Sequence, residues 1–252
     1  WTNFYIKARS GAVETAFDVL SDMVLDPLLD LKEIEREKGV IVEEIAMYED
    51  TPVAKIGDVF EQLIFKGSSL GRDITGTKET VRGIKRNDFA NYRGKHYFAK
   101  NILITVAGGI DTKNVLELAK HYFGKVPAGK KSKIEISKKQ KKPQVLLHSK
   151  KKEQAHFILG FLGNKRGHKD RFAEAVLAAI LGGGMSSRLF SEVRERRGLA
   201  YAVRASFDHY VDCGYFAAYA GVDLKRIDEA IKVTYEQCVG LAEGDFPIKK
   251  DE

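Results

Sequence analysis

Between residues 12 and 25, apolar side chains recur at helical spacing (Val13, Ala16, Phe17, Leu20, Met23, Val24), and Asp26-Pro27 closes the run. A second helix is predicted from Leu31 to about Tyr48. It is rich in Glu, Lys and Arg, with Ile34, Val40, Ile41 and Ile45 as its apolar contacts. Pro52 suits the first turn of a third helix running through Ile56, Val59, Phe60, Leu63 and Ile64. A Gly/Ser loop follows and extends to Thr77, and residues 87–98 and 112–123 again read as helices. Alternating or short apolar runs predict strands at 3–8, 101–107, 144–148, 156–162, 201–207 and 215–221. Three further helices are expected at 171–181, 187–197 and 224–241.

One unit recurs: a strand, a short turn and a helix packing back, at 3–25, 102–123 and 215–241. Three weak copies predict two related modules in tandem. The fold class is therefore α+β, each module a largely antiparallel sheet with helices on one face. The expected division is 1–126 for the C-terminal part of a first module, 127–143 for a basic linker, and 144–252 for the N-terminal part of a second. The chain opens on Trp1, and residues 244–252 read as a loop leading toward a further helix. Both ends therefore read as cut, and the missing leader says nothing of compartment, with the cytoplasm the working expectation.

Composition changes this picture only once. The net charge of +7 suggests a nucleic-acid partner, but eleven lysines and a single acid, Glu135, fall between Lys125 and Lys152. The rest of the chain is net acidic. The lysine stretch has no aromatic residue on which bases could stack, so it reads as a solvated linker and no nucleic-acid partner is expected. No apolar run approaches a membrane span, so no membrane partner is expected either. Cys213 and Cys238 belong to no ligand cluster. They read as ordinary buried thiols, with a disulfide between them left open.

Two local patterns could carry chemistry. In the helix after Leu31, Glu37 and Glu44 are two turns apart, so both carboxylates share one face. Such a pair can bind a cation, or one can ligate while the other supports proton transfer. A solvated helix face with ion pairs four residues apart explains the same residues without a ligand. The second pattern is the arginine-rich helix that breaks at Gly198 and hands over to a strand at Tyr201. Arg194 and Tyr201 there could hydrogen-bond a peptide carbonyl or a developing oxyanion. A helix end stabilised by its own dipole accounts for the arginines equally well.

Both pairs resemble signatures of the M16 metallopeptidases, the family of insulin-degrading enzyme, pitrilysin and the mitochondrial processing peptidase. Spacing and order along the chain match, as do residues 71–77 (GRDITGT), 107–109 (AGG) and 181–190 (LGGGMSSRLF). The resemblance implies the metallohydrolase (LuxS/MPP-like) fold and a zinc endopeptidase acting on peptides or small unfolded proteins. In that family two histidines of an inverted H-x-x-E-H motif and a downstream glutamate hold zinc. Glu44 corresponds to the glutamate ligand, Glu37 to the acid supporting the site, and Arg194 with Tyr201 to the pair gripping the substrate backbone. None of the six histidines lies in such a motif. The chain as given is thus expected to be inactive, with Zn2+ belonging to an intact parent. The resemblance also implies a homodimer or a heterodimer with an M16 partner. The alternative is a non-catalytic M16-like subunit that presents substrate.

The remaining features read as structural. Gly182-Gly183-Gly184 lacks the Gly-Lys-Ser/Thr of a phosphate loop and reads as a flexible turn ending a helix. His96, His121, His148 and His156 read as packing residues, and Phe207, Tyr210, Tyr215, Phe216 and Tyr219 as core.

Overall fold

A computed structural model describes residues 1–130 and 140–248. The fold is α+β. Eight α-helices are described, α1 (Val13–Leu25), α2 (Leu31–Asp50), α3 (Pro52–Ile64), α4 (Lys78–Gly83), α5 (Arg86–His96), α6 (Thr112–Phe123), α7 (Arg171–Gly182) and α8 (Ile227–Glu243), with strands β1 (Gln154–Gly163), β2 (Ala200–His209) and β3 (Gly214–Asp223). No helix among the described residues is long and apolar enough to cross a membrane. Two compact units emerge, one from Trp1–Val42 with Lys78–Ile134 and the other from Glu43–Thr77 with Glu135–Glu252.

In the first unit the apolar stripe of α1 buries Phe17, Ser21 and Val24, residues four and three apart as helical packing requires. Phe17 meets Tyr122 and Phe123 of α6 at ring separations of 6.3 and 6.4 Å. Asp111 starts α6 by accepting from the Asn114 amide, and Asp30 starts α2 by accepting from the Lys32 and Glu33 amides. Arginines of α5 satisfy the open carbonyls where α1 ends. Arg93 donates to Val24, and Arg86 to Leu28 and Leu29. The short α4, which buries Val81, has too few turns to show a period in sequence.

The second unit is organised by an antiparallel sheet in the order β1-β3-β2. Central β3 is buried along nearly its whole length. One sheet face carries Phe157, Phe216, Ala218, Ala220 and Val222 and packs with Leu181 of α7 and Ala230 and Val233 of α8. Burial of each large side chain there contributes about 1.5–3 kcal/mol. The other face receives α3, whose Phe60 and Ile64 pack with Tyr215 and Ala217. A Cβ at Gly160 would lie 2.2 Å from the Phe60 ring, so only glycine lets α3 seat there. Glu61 of α3 accepts hydrogen bonds from the Tyr210 and Tyr215 hydroxyls at 2.6 and 2.8 Å.

Three predicted strands do not form among the described residues. Residues 3–8, 101–107 and 144–148 pair with nothing among the described residues, apart from a short helical turn at Ala99–Asn101. Their apolar side chains are largely exposed, Leu103 and Leu147 to about nine-tenths. Alternation encodes an extended backbone, but a strand also needs a neighbour to take its N–H and C=O groups. Of the three expected strand-turn-helix copies, only the third has its strand among the described residues. The expected helix at 187–197 is real but widened, with a π-helical stretch at Phe190–Glu195. Most of the basic linker lies outside the described residues. Toward the far end of the lysine-rich stretch, Lys150 is no free solvated charge: it pairs with Asp50 and donates to the Glu49 carbonyl.

Candidate functional site

The hand-over from helix to strand before Tyr201 is anchored from beneath. Leu189, Val193 and Leu199 are each no more than 1% exposed. In the π-helical stretch the Arg196 amide donates to the Ser191 carbonyl, five residues back. Gly198 then adopts a left-handed conformation (φ +58°) that favours glycine. Its amide donates to the Arg194 carbonyl, and the Leu199 amide to that of Val193. The chain therefore leaves the helix in a fixed direction.

This geometry sorts the three arginines. Arg196 and Arg197 both donate to Glu192, and Arg226 donates to the Arg197 carbonyl. Arg194 instead lies over the Phe190 ring, 5.0 Å from its centre, and pairs with no acid among the described residues. Its charge is positioned but not neutralised. Tyr201 sits in an irregularity of the β2–β3 ladder, where Ala200 pairs with Val222 and Ala202 with Gly221. Such a bulge re-aims a side chain, and Tyr201 is 62% exposed while its neighbours Leu199 and Ala200 are buried. Arg194 and Tyr201 thus stand at either end of one rigid connection.

The carboxylates are held more loosely. Glu37 and Glu44 lie on α2, about 10 Å apart along its axis, and both are exposed. Other acids of this helix carry partners: Glu33 pairs with Arg36, Glu35 with Lys38 and Asp50 with Lys150. Glu37 and Glu44 have none among the described residues. Ion pairs thus account for some acids of the helix and not for these two, nor for Glu43 between them. Among the described residues no three His, Cys, Asp or Glu side chains gather closely enough to hold a metal. One carboxylate does not make a zinc centre, so the residues present do not by themselves fit the metal.

Other side chains fall out as packing. Cys213 and Cys238 are both buried, and burial pushes the Cys238 thiol up to about 11. The His96 ring meets Tyr92 at a tilt of 37°, and His121 meets Tyr122 edge-on. Gly182 is a packing contact as well as a helix end. A Cβ there would come within 2.3 Å of the Ala205 amide nitrogen of β2. Sequence reasoning placed Tyr210 and Tyr215 in the core but missed their acceptor Glu61, because nothing local links residues some 150 positions apart.

Residues 1–78 match the insulinase family (peptidase family M16), and residues 83–250 match the peptidase M16 inactive domain. The chain belongs to peptidase family M16. It is 34% identical over 250 residues to an uncharacterized zinc protease of Streptomyces coelicolor, covering 96% of this chain and 54% of that protein. Identity to an uncharacterized zinc protease of Bacillus subtilis is 36% over 237 residues, covering 93% and 58%. The chain thus spans little more than half the length of these relatives. Its fold resembles the peptidase M16 inactive domain structure from Pseudomonas fluorescens (TM-score 0.82, 21% identity, 96% of this chain and 59% of that one). It also resembles a chain of complex III2 from Candida albicans (TM-score 0.84, 18% identity, 97% and 60%). These likenesses establish the fold within M16 and leave the chemistry to the residues.

Proposed function

We propose that this M16 chain is part of a zinc-dependent endopeptidase of peptides or small unfolded proteins, and that it supplies the surface gripping the substrate. The observation carrying this reading is an Arg194 with no acid partner among the described residues and a bulged, exposed Tyr201 at the other end of one anchored connection. A guanidinium fork and a phenol can donate to a peptide carbonyl, and donate more strongly as that oxygen gains negative charge during attack. Neither group needs rearrangement, because the buried Leu189, Val193 and Leu199 fix the backbone that carries them.

Glu44 offers one carboxylate toward zinc, and Glu37 supports it from two turns away. A zinc centre needs further ligands that the described residues do not gather, so no catalytic step is assigned to the metal here. The relatives' name, zinc protease, supports the same reading. Residues 1–126 and 144–252 are proposed as parts of two successive modules, and the working form as a dimer with an M16 partner.

The match of residues 83–250 to an inactive domain favours a second reading, a non-catalytic subunit that binds or presents substrate. Metal content and cleavage of an unfolded polypeptide, measured on the natural protein carrying this sequence, separate the two. The peptidase reading expects bound zinc and turnover, both lost in Glu44→Gln. A metal-free, inert protein that still binds the polypeptide assigns the presenting role instead.

A further inference from the structure

The α3-bearing face of the sheet is not covered evenly. Cross-strand partners share a face, so the ladder sets His156, Gly221 and Ala202 in one row and Ile158, Tyr219 and Arg204 in the next. Two rows further on, Leu162, Tyr215 and Asp208 lie together, in the region where α3 packs. Where α3 leaves off, three polar side chains form one cluster. The His156 Nδ1 and Tyr219 hydroxyl are 2.9 Å apart, and the Arg204 guanidinium lies over the Tyr219 ring at 4.8 Å.

The cluster is built. A Cβ at Gly221 would lie 3.1 Å from the Tyr219 hydroxyl and 3.3 Å from the His156 Nδ1, so glycine leaves room for their hydrogen bond. Burial lowers the His156 pKa and raises that of Tyr219, so both groups are held neutral. One proton then lies between them and one is left over. If the phenol donates to Nδ1, the imidazole Nε2–H is spare; if Nδ1–H donates, the phenolic O–H is spare. Either way the pair keeps one unspent donor in the same cluster as an exposed arginine that pairs with no acid among the described residues. Asp208, the acid on this face of β2, is four residues from Arg204, about 13 Å along the strand.

A cluster of donors around one cation, without an acceptor of its own charge, suits a carboxylate. Its location says what carries that carboxylate. Arg204 is three residues beyond Tyr201 on β2, an outer strand whose outward backbone groups face no other strand among the described residues. An extended peptide can be received alongside such an edge. We propose that Arg204, with His156 and Tyr219, forms a subsite that selects a carboxylate on the bound peptide, an acidic side chain or the C-terminus. This rests on the reading of Arg194 and Tyr201 as a peptide grip.

The test measures, by fluorescence anisotropy on the natural protein, the affinity of unstructured peptides differing by one Glu-to-Gln change, each with a free or amidated C-terminus. The expected result is about a tenfold preference for one carboxylate over its neutral form, lost in Arg204→Met. Preference for Glu over Gln identifies a side chain, and preference for the free over the amidated end identifies the terminus. Arg194→Ala is expected to weaken all four peptides alike. A preference that survives Arg204→Met, or no preference at all, overturns the subsite. Should no peptide bind, the grip itself fails, and titration with succinate, followed through the His156 ring resonances, decides the subsite separately. A shift seen in the wild type and absent in Arg204→Met upholds a carboxylate site, and no shift ends the proposal.

Discussion

Glu37 and Glu44 stand on α2, a twenty-residue helix with a single buried residue, Ile45, whereas Arg194 and Tyr201 flank a connection resting on three almost fully buried side chains. The first pair is positioned by one helix alone. The second is positioned by a widened helical turn, a left-handed glycine and a ladder bulge acting together. The contrast separates availability from preorganisation. The carboxylates are available because nothing in the described chain claims them, and a metal site built on them needs ligands from elsewhere. The arginine and the tyrosine are held in place by the fold.

The largest effect that would sharpen this contrast is on stability. Leu199→Ala removes a fully buried anchor and is expected to cost about 3 kcal/mol, read as a shift of the urea midpoint. Val40→Ala on α2, where the side chain is nearly half exposed, is expected to stay within about 0.5 kcal/mol. Equal losses at the two positions would remove the distinction.

A smaller effect comes from the tyrosines beneath the sheet. Burial first, and the hydrogen bond to Glu61 second, push the Tyr210 and Tyr215 phenols well above the ordinary tyrosine range. They keep their protons in the fold at pH values where the unfolded chain loses them. Stability is therefore intact below about pH 10 and falls as pH rises past it, by about 1.4 kcal/mol per unit for each such group. Denaturant midpoints between neutral and alkaline pH should show this slope, and Tyr215→Phe should flatten it. A slope untouched by that substitution would place the alkaline sensitivity elsewhere. The smallest effects belong to the candidate functional groups. Glu44→Gln and Arg194→Ala should each move stability by less than about 0.5 kcal/mol, because neither breaks an ion pair among the described residues.

Much of this was readable in the chain. Helical periods located α1, α2, α3, α6, α7 and α8 to within a few residues, and the three strands that pair were each found slightly short. Segments 3–8, 101–107 and 144–148 form no strand among the described residues, because alternation specifies a backbone shape and not a partner. The candidate pairs were visible as spacing, but the features that distinguish them were not. No local pattern says that Arg196 and Arg197 share Glu192 and leave Arg194 unpaired, or that a bulge turns Tyr201 outward. The cluster at His156, Tyr219 and Arg204 was illegible for the same reason. Its members lie on three strands, and register appears only when the sheet forms. The glycines at 182–184 read as a loose turn, while Gly182 in fact seats α7 directly on β2.

The central claim is that Arg194 and Tyr201 form a preformed grip whose worth lies in binding and not in folding. Its most direct test is the affinity of the natural protein for an unstructured peptide, measured alongside the thermal midpoint for Arg194→Ala and Tyr201→Phe. The expected result is an affinity reduced about tenfold or more in each variant, with the midpoint unchanged. Unchanged affinity, or a midpoint that falls as it does for Leu199→Ala, would make the pair part of the scaffold and contradict the account.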